Sequence, residues 1–185
     1  MKRWVPSLLL LSLMLAFTAP LSWAQEERKV EFALGGSYPL LAERFRVSQN
    51  LAYRARLEFR INDWWMLGPI YEVQNTTDKK NIFDVDVVHY GLTNTFVISG
   101  EPEFTILGMA AIGQGSVTSS NEALAASTDI SLWYEAGVGA RWTIGQRMAF
   151  RFQLTFRNTV PDVASPLISG SRFSMVPAFD FSMRF

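Results

Sequence analysis

The only histidine of the chain, His89 in the stretch DVVHYGL, is the side chain best suited to acid–base chemistry. A hydrolase would combine such a histidine with a serine nucleophile and an orienting carboxylate, and Ser131 and Glu72 are the candidates for these roles. The three residues match no catalytic motif, and a Ser-His-acid site is defined by geometry rather than by composition. We therefore expect His89 to be a hydrogen-bonded structural residue, with catalysis as the alternative.

Other residue types exclude several kinds of site. The chain has no cysteine, which rules out thiolate zinc sites and cysteine nucleophiles. Asp84 and Asp86, with Asp78 nearby, could offer oxygen ligands to a cation, but we interpret them as a solvated rim. The stretch GMAAIGQG has no strand–turn–helix setting and so is not a nucleotide-binding loop. We expect neither a metal nor a cofactor.

The charged residues occur at alternate positions, and this spacing predicts the elements that hold them. In LAYRARLEFRI, residues 51–61, apolar side chains alternate with Arg54, Arg56, Glu58 and Arg60. A helix would mix the two sets, whereas a strand places them on opposite faces. The stretch RMAFRFQLTFR, residues 147–157, has the same pattern. Strands must therefore position the charged groups.

The same reasoning predicts eight strands, most of them longer than the usual length of about 5–6 residues. Connections between them alternate between long and short, which indicates an all-β, eight-stranded antiparallel up-and-down barrel with both termini on the short-turn side. In one predicted strand both faces are apolar, so its register stays open; this is residues 104–114. The predicted strands are 29–37, 51–61, 64–74, 86–98, 104–114, 130–144, 147–157 and 172–185.

The first 24 residues have the features of a cleaved secretory signal. Lys2 and Arg3 precede an apolar run, and the small residues Ser22 and Ala24 precede Gln25. We therefore predict a signal peptide at 1–24 and one barrel domain at 25–185. The signal would hold two of the 17 basic residues and none of the 17 acidic ones, leaving a net charge of −2. This balance gives no basic footprint for nucleic acid.

Alternation alone does not decide whether the apolar face points inward, as in a soluble barrel, or outward to lipid. Strand length suits a tilted bilayer crossing of about 9–11 residues. The polar faces mix both charge signs with small residues, which suits the narrow interior of an eight-stranded barrel. Aromatic residues gather at strand ends, where a membrane barrel has its girdle: Trp64, Trp65, Phe104, Trp142 and Phe185. These features favour a membrane barrel, and a soluble periplasmic barrel is the rival.

In a membrane barrel the charged face lines the interior, where it needs partners. Folding the chain about Asp63 sets Arg54 opposite Glu72, and closing the barrel brings Glu31 towards Arg184. Glu135 and Arg157 are predicted to be diagonal neighbours. The resulting network should fill the interior rather than conduct, and comprises Glu31, Arg54, Arg56, Glu58, Glu72, Glu135, Arg141, Arg151, Arg157, Asp180 and Arg184.

Together the signal, the eight strands, the alternating connections and the terminal FDFSMRF resemble the small outer-membrane β-barrels of Gram-negative bacteria. The OmpA transmembrane domain and the OmpX/Ail and OmpW-like barrels are the similar types. The resemblance implies location in the outer membrane. It also implies that the barrel-assembly machinery reads a terminal signal formed by Phe179, Phe181, Met183 and Phe185.

For function, we expect a structural or surface-interaction role, with four loops facing outward. The expected partners are outer-membrane lipid and lipopolysaccharide, and the barrel should be a monomer. One alternative is a narrow conduit for hydrophobic molecules, because Met66, Gly68 and Ile70 face inward beside the uncharged 104–114 strand. The other is a lipid A-modifying enzyme that uses His89.

Overall fold

The computed structural model describes residues 29–41, 50–77, 84–101, 103–120, 128–161 and 172–185. These form a closed, all-antiparallel barrel, which confirms the predicted fold class. None of the described residues forms a helix long and apolar enough to cross a membrane. The strands are β1 Val30–Ser37, β2 Leu40–Leu41, β3 Ala52–Asn62, β4 Trp65–Thr77, β5 Asp84–Gly100, β6 Phe104–Ser119, β7 Thr128–Ile144, β8 Met148–Pro161 and β9 Arg172–Arg184. The predicted boundary of the signal at residue 24 lies outside the described residues.

The barrel closes where the first strand meets the last. Glu31 to Ser37 of β1 pair with Arg184 to Ala178 of β9. The pairing extends to the end of the chain, because the Phe185 amide donates to the Val30 carbonyl at 2.9 Å. The short β2 follows β1 in the chain and pairs with Met175 and Ser174 of β9. The barrel wall therefore consists of eight strands, with β1 and β2 sharing one place, and the β1–β9 pairing closes it.

The two rims of the barrel differ. Tight turns join β3 to β4 at residues 63–64 and β7 to β8 at residues 145–147, and the first described residue, Lys29, lies with Phe185 at this turn-side rim. Gly145 in the second turn has φ of 61°, a left-handed conformation that favours glycine. The end of β5 and the start of β6 also lie at this rim, where the Glu101 amide donates to the Phe104 carbonyl at 2.8 Å. The remaining strand ends lie at the opposite rim, which we call the loop-side rim; one example is the pairing of Thr77 with Asp84.

Several strands run further towards the loop-side rim than predicted. The predicted segment 64–74 is observed as Trp65–Thr77, 104–114 as Phe104–Ser119 and 147–157 as Met148–Pro161. The extensions escaped prediction because their outward residues are no longer apolar. The open register of 104–114 is also settled, since its odd-numbered residues, such as Leu107 and Met109, are buried inside.

Irregularities interrupt several of the ladders, and two of them affect which side chains face the interior and how the outer wall is paired. A bulge between Ile130 and Leu132 in β7 keeps Ile130 inward although its number is even. Between β3 and β4 the register pairs stop at Arg56/Ile70 and resume at Phe59/Leu67. The gap coincides with Pro69, whose ring leaves no N–H for the ladder.

Candidate functional site: the filled interior and the loop-side rim

The charged side chains come mainly from one side of the barrel. Strands β1, β3, β8 and β9 carry most of them, and the opposite wall, β4 to β7, carries many small inward residues. Gly137 and Gly139 on β7 belong to this second group. Because an eight-stranded barrel has little interior room, small residues on one wall leave space for long side chains that reach across from the other.

At the turn-side end, Glu31 is shared by several arginines. Arg151 Nη2 lies 2.5 Å from Glu31 Oε1, and Arg184 Nε donates to Glu31 Oε2 at 3.1 Å. Arg141 is less well placed, because its Nη1 lies 3.7 Å from Glu31 and its Nε has no hydrogen-bond partner among the described residues. Arginines therefore outnumber carboxylates at this end of the network.

In the middle of the barrel, charges pair across the lumen. Arg151 Nη1 lies 2.6 Å from Glu58 Oε2, so one guanidinium joins Glu58 to Glu31. Arg56 pairs with Asp180, and the same carboxylate accepts a hydrogen bond of 2.6 Å from the Gln153 amide. All six of these side chains are buried. The contacts cross-link β1, β3, β8 and β9 through the interior.

Nearer the loop-side rim, Glu72 and Glu135 bind two arginines. The structure places Arg54 opposite Glu72 in the β3–β4 register, with the Arg54 Nη2 to Glu72 Oε2 distance at 2.8 Å. Arg157 donates to both oxygens of Glu72 and, at 2.8 Å, to Glu135. Glu135 and Arg157 are directly opposite each other on β7 and β8, whereas the sequence prediction made them diagonal. Ser37 adds a hydrogen bond of 2.8 Å to Glu72.

His89 lies above this cluster and is buried. Its Nδ1 is 3.5 Å from Arg157 Nη1 and 3.7 Å from Glu72. A guanidinium can only donate, so Arg157 can hydrogen-bond to Nδ1 only in the tautomer that carries its proton on Nε2. The Nε2 atom has no hydrogen-bond partner among the described residues. The edge of the ring faces Trp133, with centroids 5.6 Å apart.

The described residues do not assemble a Ser-His-acid relay at His89. The Ser37 hydroxyl donates to Glu72 and not to the histidine. Ser131 lies in the β7 bulge, and its side chain is outside the described set. Glu72 is engaged by two arginines instead of orienting the imidazole. The geometry is that of a structural charge cluster with a histidine packed on top.

Trp133 covers the charge network on the loop side. The Arg157 guanidinium lies 5.2 Å from the centre of the Trp133 ring, within range of a cation–π interaction. The indole N–H donates to the Gln114 carbonyl at 2.8 Å. Around this tryptophan the interior turns apolar, with a buried cluster that comprises Ile70, Val85, Val87, Ala111, Val117, Ile130 and Trp133. An apolar plug therefore lies between the network and the loop-side rim.

The outer surface divides into two zones. In the first, outward residues are apolar over stretches of nine residues, such as Phe104 to Ile112 on β6 and Tyr134 to Trp142 on β7. The exception is Asn94 on β5, whose side-chain oxygen accepts a hydrogen bond of 3.3 Å from the Trp65 indole. Nine residues of about 3.3 Å each, tilted by about 40°, span about 23 Å, which matches the apolar band of membrane barrels. We call this zone the outward belt. It comprises the outward residues of 30–38, 53–61, 65–73, 90–98, 104–112, 134–142, 148–156 and 177–185.

Beyond the belt the polarity of the wall reverses. On β4 to β6 the exposed outward residues become polar, with Asn75, Asp86 and Thr118 as examples. On β5 and β6 the residues that point inward there are mainly Val85, Val87 and Val117 of the apolar plug, and the buried polar side chains of Gln74, Thr76 and Ser119 lie beside them. A barrel wall that is polar outside and apolar inside has the pattern of a water-soluble barrel. We call this part, formed by the loop-side ends of β4 to β8, the loop-side projection.

Aromatic side chains mark the edges of the belt. The predicted girdle residues Trp64, Trp65, Phe104 and Trp142 lie at the turn-side edge, and Trp64 stacks on Trp65 with ring centroids 6.2 Å apart. Phe185 is 44% exposed at the same rim, so the terminal residue also faces outward. A second group of outward aromatic residues, the tyrosines, was not predicted from the sequence. All five tyrosines of the chain face outward with exposed side chains: Tyr38, Tyr53, Tyr71, Tyr90 and Tyr134.

No group of three or more metal-ligating side chains occurs among the described residues. Asp84 and Asp86 are exposed on the loop-side projection, and Asp78 lies outside the described residues.

The terminal residues Phe179, Phe181 and Met183 occupy the outward side of β9, where Phe179 and Phe181 contact Phe150 at 5.5 Å between ring centroids.

Solved structures with a similar fold are small outer-membrane barrels, whereas no family model and no curated protein sequence matches the chain. Neisserial surface protein A aligns with a TM-score of 0.64 at 10% identity, covering 84% of this chain and 96% of that protein. The N-terminal barrel of Pseudomonas aeruginosa OprF gives 0.56 at 12%, covering 85% and 99%. Ail, the attachment invasion locus protein of Yersinia pestis, gives 0.53 at 13%, covering 86% and 100%. The predicted resemblance to the OmpA and OmpX/Ail types is thus confirmed at the level of the fold.

Proposed function

We propose that this protein is an outer-membrane barrel with a filled interior, which anchors the loop-side projection at the cell surface so that it can contact other molecules there. The observation that carries the proposal is the reversal of wall polarity above the outward belt. A barrel that only had to cross the membrane would need about 9–11 residues in each strand. β5 and β7 have 17 residues each, so they extend well beyond the belt.

The filled interior supports an anchor rather than an open pore. Five carboxylates and five arginines are buried in the interior among the described residues, and the apolar plug covers them on the loop side. Removing one partner of such a network leaves an uncompensated buried charge, which costs about 3–5 kcal/mol. A network of this kind favours one rigid arrangement of the strands that carry the projection.

Lipopolysaccharide is the first partner we propose, because it would surround the projection in the outer leaflet. The ring of outward tyrosines supports this orientation, since amphipathic aromatic rings prefer the membrane–water interface. One fold neighbour is named for attachment and invasion. At 13% identity that likeness concerns the fold, so the proposed surface role depends on the projection alone.

The test is a vesicle-retention assay on immobilised lipopolysaccharide. Wild-type barrels in vesicles should be retained, and a variant with tight turns in place of residues 78–83 and 121–127 should lose most of that retention. The heat-modifiable gel shift and trypsin resistance of the barrel serve as folding controls. Equal retention of the two proteins, with folding intact, would contradict the surface role.

A hydrophobic conduit is the second candidate, because the apolar plug occupies the interior next to the uncharged wall of β6. In this case Trp133→Ala, which opens the plug, should raise the uptake of a hydrophobic dye into vesicles several-fold over wild type. A matched control is Trp142→Ala, because this tryptophan lies on the outside of the same strand. Absence of uptake by wild type and by Trp133→Ala would remove the conduit.

Lipid A modification by His89 remains a third proposal with less support, because the Ser37 hydroxyl is bound to Glu72. The test is the lipid A mass spectrum of cells that express wild type or His89→Ala. A mass change that requires His89 would support enzymatic activity. Identical spectra with and without the protein would remove it.

A further inference from the structure

Within the described residues, the outward belt contains a groove that extends from β1 to β5 on the outer surface of the barrel. Its volume is about 530 Å³, within the range of about 300–1,000 Å³ that is usual for small-ligand sites. The side chains around it are almost entirely apolar, with Phe32 and Leu57 on one side and Leu92 on the other. The outer wall of a barrel is convex, so a groove of this size needs a specific structural cause.

Small residues and a broken ladder create the groove. Ala55 and Pro69 fill little of the outer surface between the larger side chains, and Gly91 adds only backbone. The groove also coincides with the gap in the β3–β4 ladder at Leu57/Pro69. Gly68 is needed at this gap, because a Cβ there would lie 1.8 Å from the Leu57 carbonyl oxygen.

A pair of tyrosines forms the loop-side edge of the groove. Tyr71 and Tyr90 are direct partners in the β4–β5 register, and both side chains are exposed outward. Tyr90 is also the last belt residue on β5 before the polar projection begins. Two phenol groups at this level can donate hydrogen bonds to the ester or phosphate oxygens of a lipid, while the groove below them is apolar.

We propose that this groove binds one acyl chain of a membrane lipid, whose polar end is held by Tyr71 and Tyr90. The groove lies within the belt, so its occupant must be a component of the membrane. A second copy of the barrel fits less well, because a stable protein interface uses about 20–30 residues on each side and the groove is lined by ten. An apolar groove with a polar edge suits a single lipid chain.

The experiment is native mass spectrometry of the whole mature chain, purified from outer membranes in a mild detergent. The probe is the co-purified membrane lipid, counted per barrel as detergent washing proceeds. Wild type should keep one lipid after the bulk lipid is removed, and Ala55→Phe, which fills the groove, should reduce that fraction at least tenfold. Ala136→Phe is the matched control, since Ala136 is also an outward alanine but lies on β7.

The gel shift verifies that each variant is folded. A second variant, Tyr71→Phe with Tyr90→Phe, keeps the groove and removes both hydroxyls, so it should release the lipid at lower detergent concentration than wild type. The proposal is overturned if wild type keeps no more lipid than Ala55→Phe. It is also overturned if Ala55→Phe instead abolishes a dimer, because the occupant would then be a second copy of the chain.

Discussion

At the scale of single residues, Glu72 accepts more side-chain hydrogen bonds than any other carboxylate of the described interior. It accepts hydrogen bonds from Ser37, Arg54 and Arg157, and its charge is opposed by two buried guanidinium groups. Charge-assisted hydrogen bonds of this kind are about twice as strong as neutral ones. The carboxylate is thus the group whose charge the loop-side half of the network most depends on.

We predict that Glu72→Gln lowers the free energy of unfolding by about 3–5 kcal/mol, because two buried arginines then have only Glu135 as their shared counter-charge. The measurement is urea unfolding of the barrel in lipid vesicles. Asp84→Asn is the control, since Asp84 is exposed on the projection and should change stability by no more than about 0.5 kcal/mol. Similar stability of the two variants would show that the network contributes little.

Gly137 and Gly108 allow a comparison between an inward and an outward glycine. A Cβ at the inward Gly137 would lie 2.1 Å from the Leu154 carbonyl oxygen, so the neighbouring backbone must move. A Cβ at the outward Gly108 meets only the end of the Ile98 side chain, at 3.2 Å. We predict that Gly137→Ala destabilises the barrel by about 1–3 kcal/mol. Gly108→Ala should be close to neutral in the same urea titration, and equal losses at both sites would contradict this interpretation.

At the scale of the elements, each strand changes its environment along its length. On β7, Val138 is 56% exposed in the middle of the outward belt. On β6, Thr118 points outward beyond the belt. We predict that Val138→Arg costs about 2–4 kcal/mol in vesicles, because it places a charge near the bilayer midplane, whereas Thr118→Arg costs about 0–1 kcal/mol. If Val138→Arg were as mild as Thr118→Arg, the belt would face water.

The last strand has a separate role in assembly. Phe185 faces outward, and its backbone completes the β1–β9 seam through Val30. Phe185→Ala keeps those backbone bonds, so the folded barrel should lose little stability, while the yield of assembled barrel in cells should fall severalfold. The comparison is between membrane yield and the urea midpoint of purified protein. A normal yield would contradict the predicted terminal signal.

The sequence predicted the elements well where alternation was strong. The parts of β3 and β8 that lie in the outward belt were predicted, because apolar outward residues alternate there with an arginine-rich inward face. The loop-side projection was missed because its polarity is reversed, so the same alternation was no longer recognisable. The covering position of Trp133 and the outward set of five tyrosines were also not predicted. Residues from several strands form these groups, and only the pairing of the strands brings them together, so no local sequence pattern indicates them.

The contacts of the network were predictable only where strands are neighbours. The Arg54 and Glu72 register followed from counting about a tight turn. The contacts of Arg151 with Glu31 and of Arg56 with Asp180 join residues far apart in the sequence, and they depend on barrel closure and on side-chain reach across the lumen. The ladder gap at Pro69 and its groove likewise required the three-dimensional register.

At the scale of the whole molecule, the described part of the barrel has three levels. Lys29 and Phe185 lie at the turn-side rim, the outward belt surrounds the charge network, and the loop-side projection surrounds the apolar plug. In the orientation that we propose, the projection lies outside the cell and the turns lie in the periplasm.

The most direct test labels single cysteines from outside intact cells, and the chain has no cysteine of its own to interfere. The variants are Thr118→Cys on the projection, Val138→Cys in the belt and Asp63→Cys at the turn-side rim. We predict that a membrane-impermeant thiol reagent labels Thr118→Cys in intact cells. Asp63→Cys should be labelled only after the outer membrane is permeabilised, and Val138→Cys should be protected in both cases. Labelling of Asp63→Cys in intact cells, or ready labelling of Val138→Cys, would contradict this prediction.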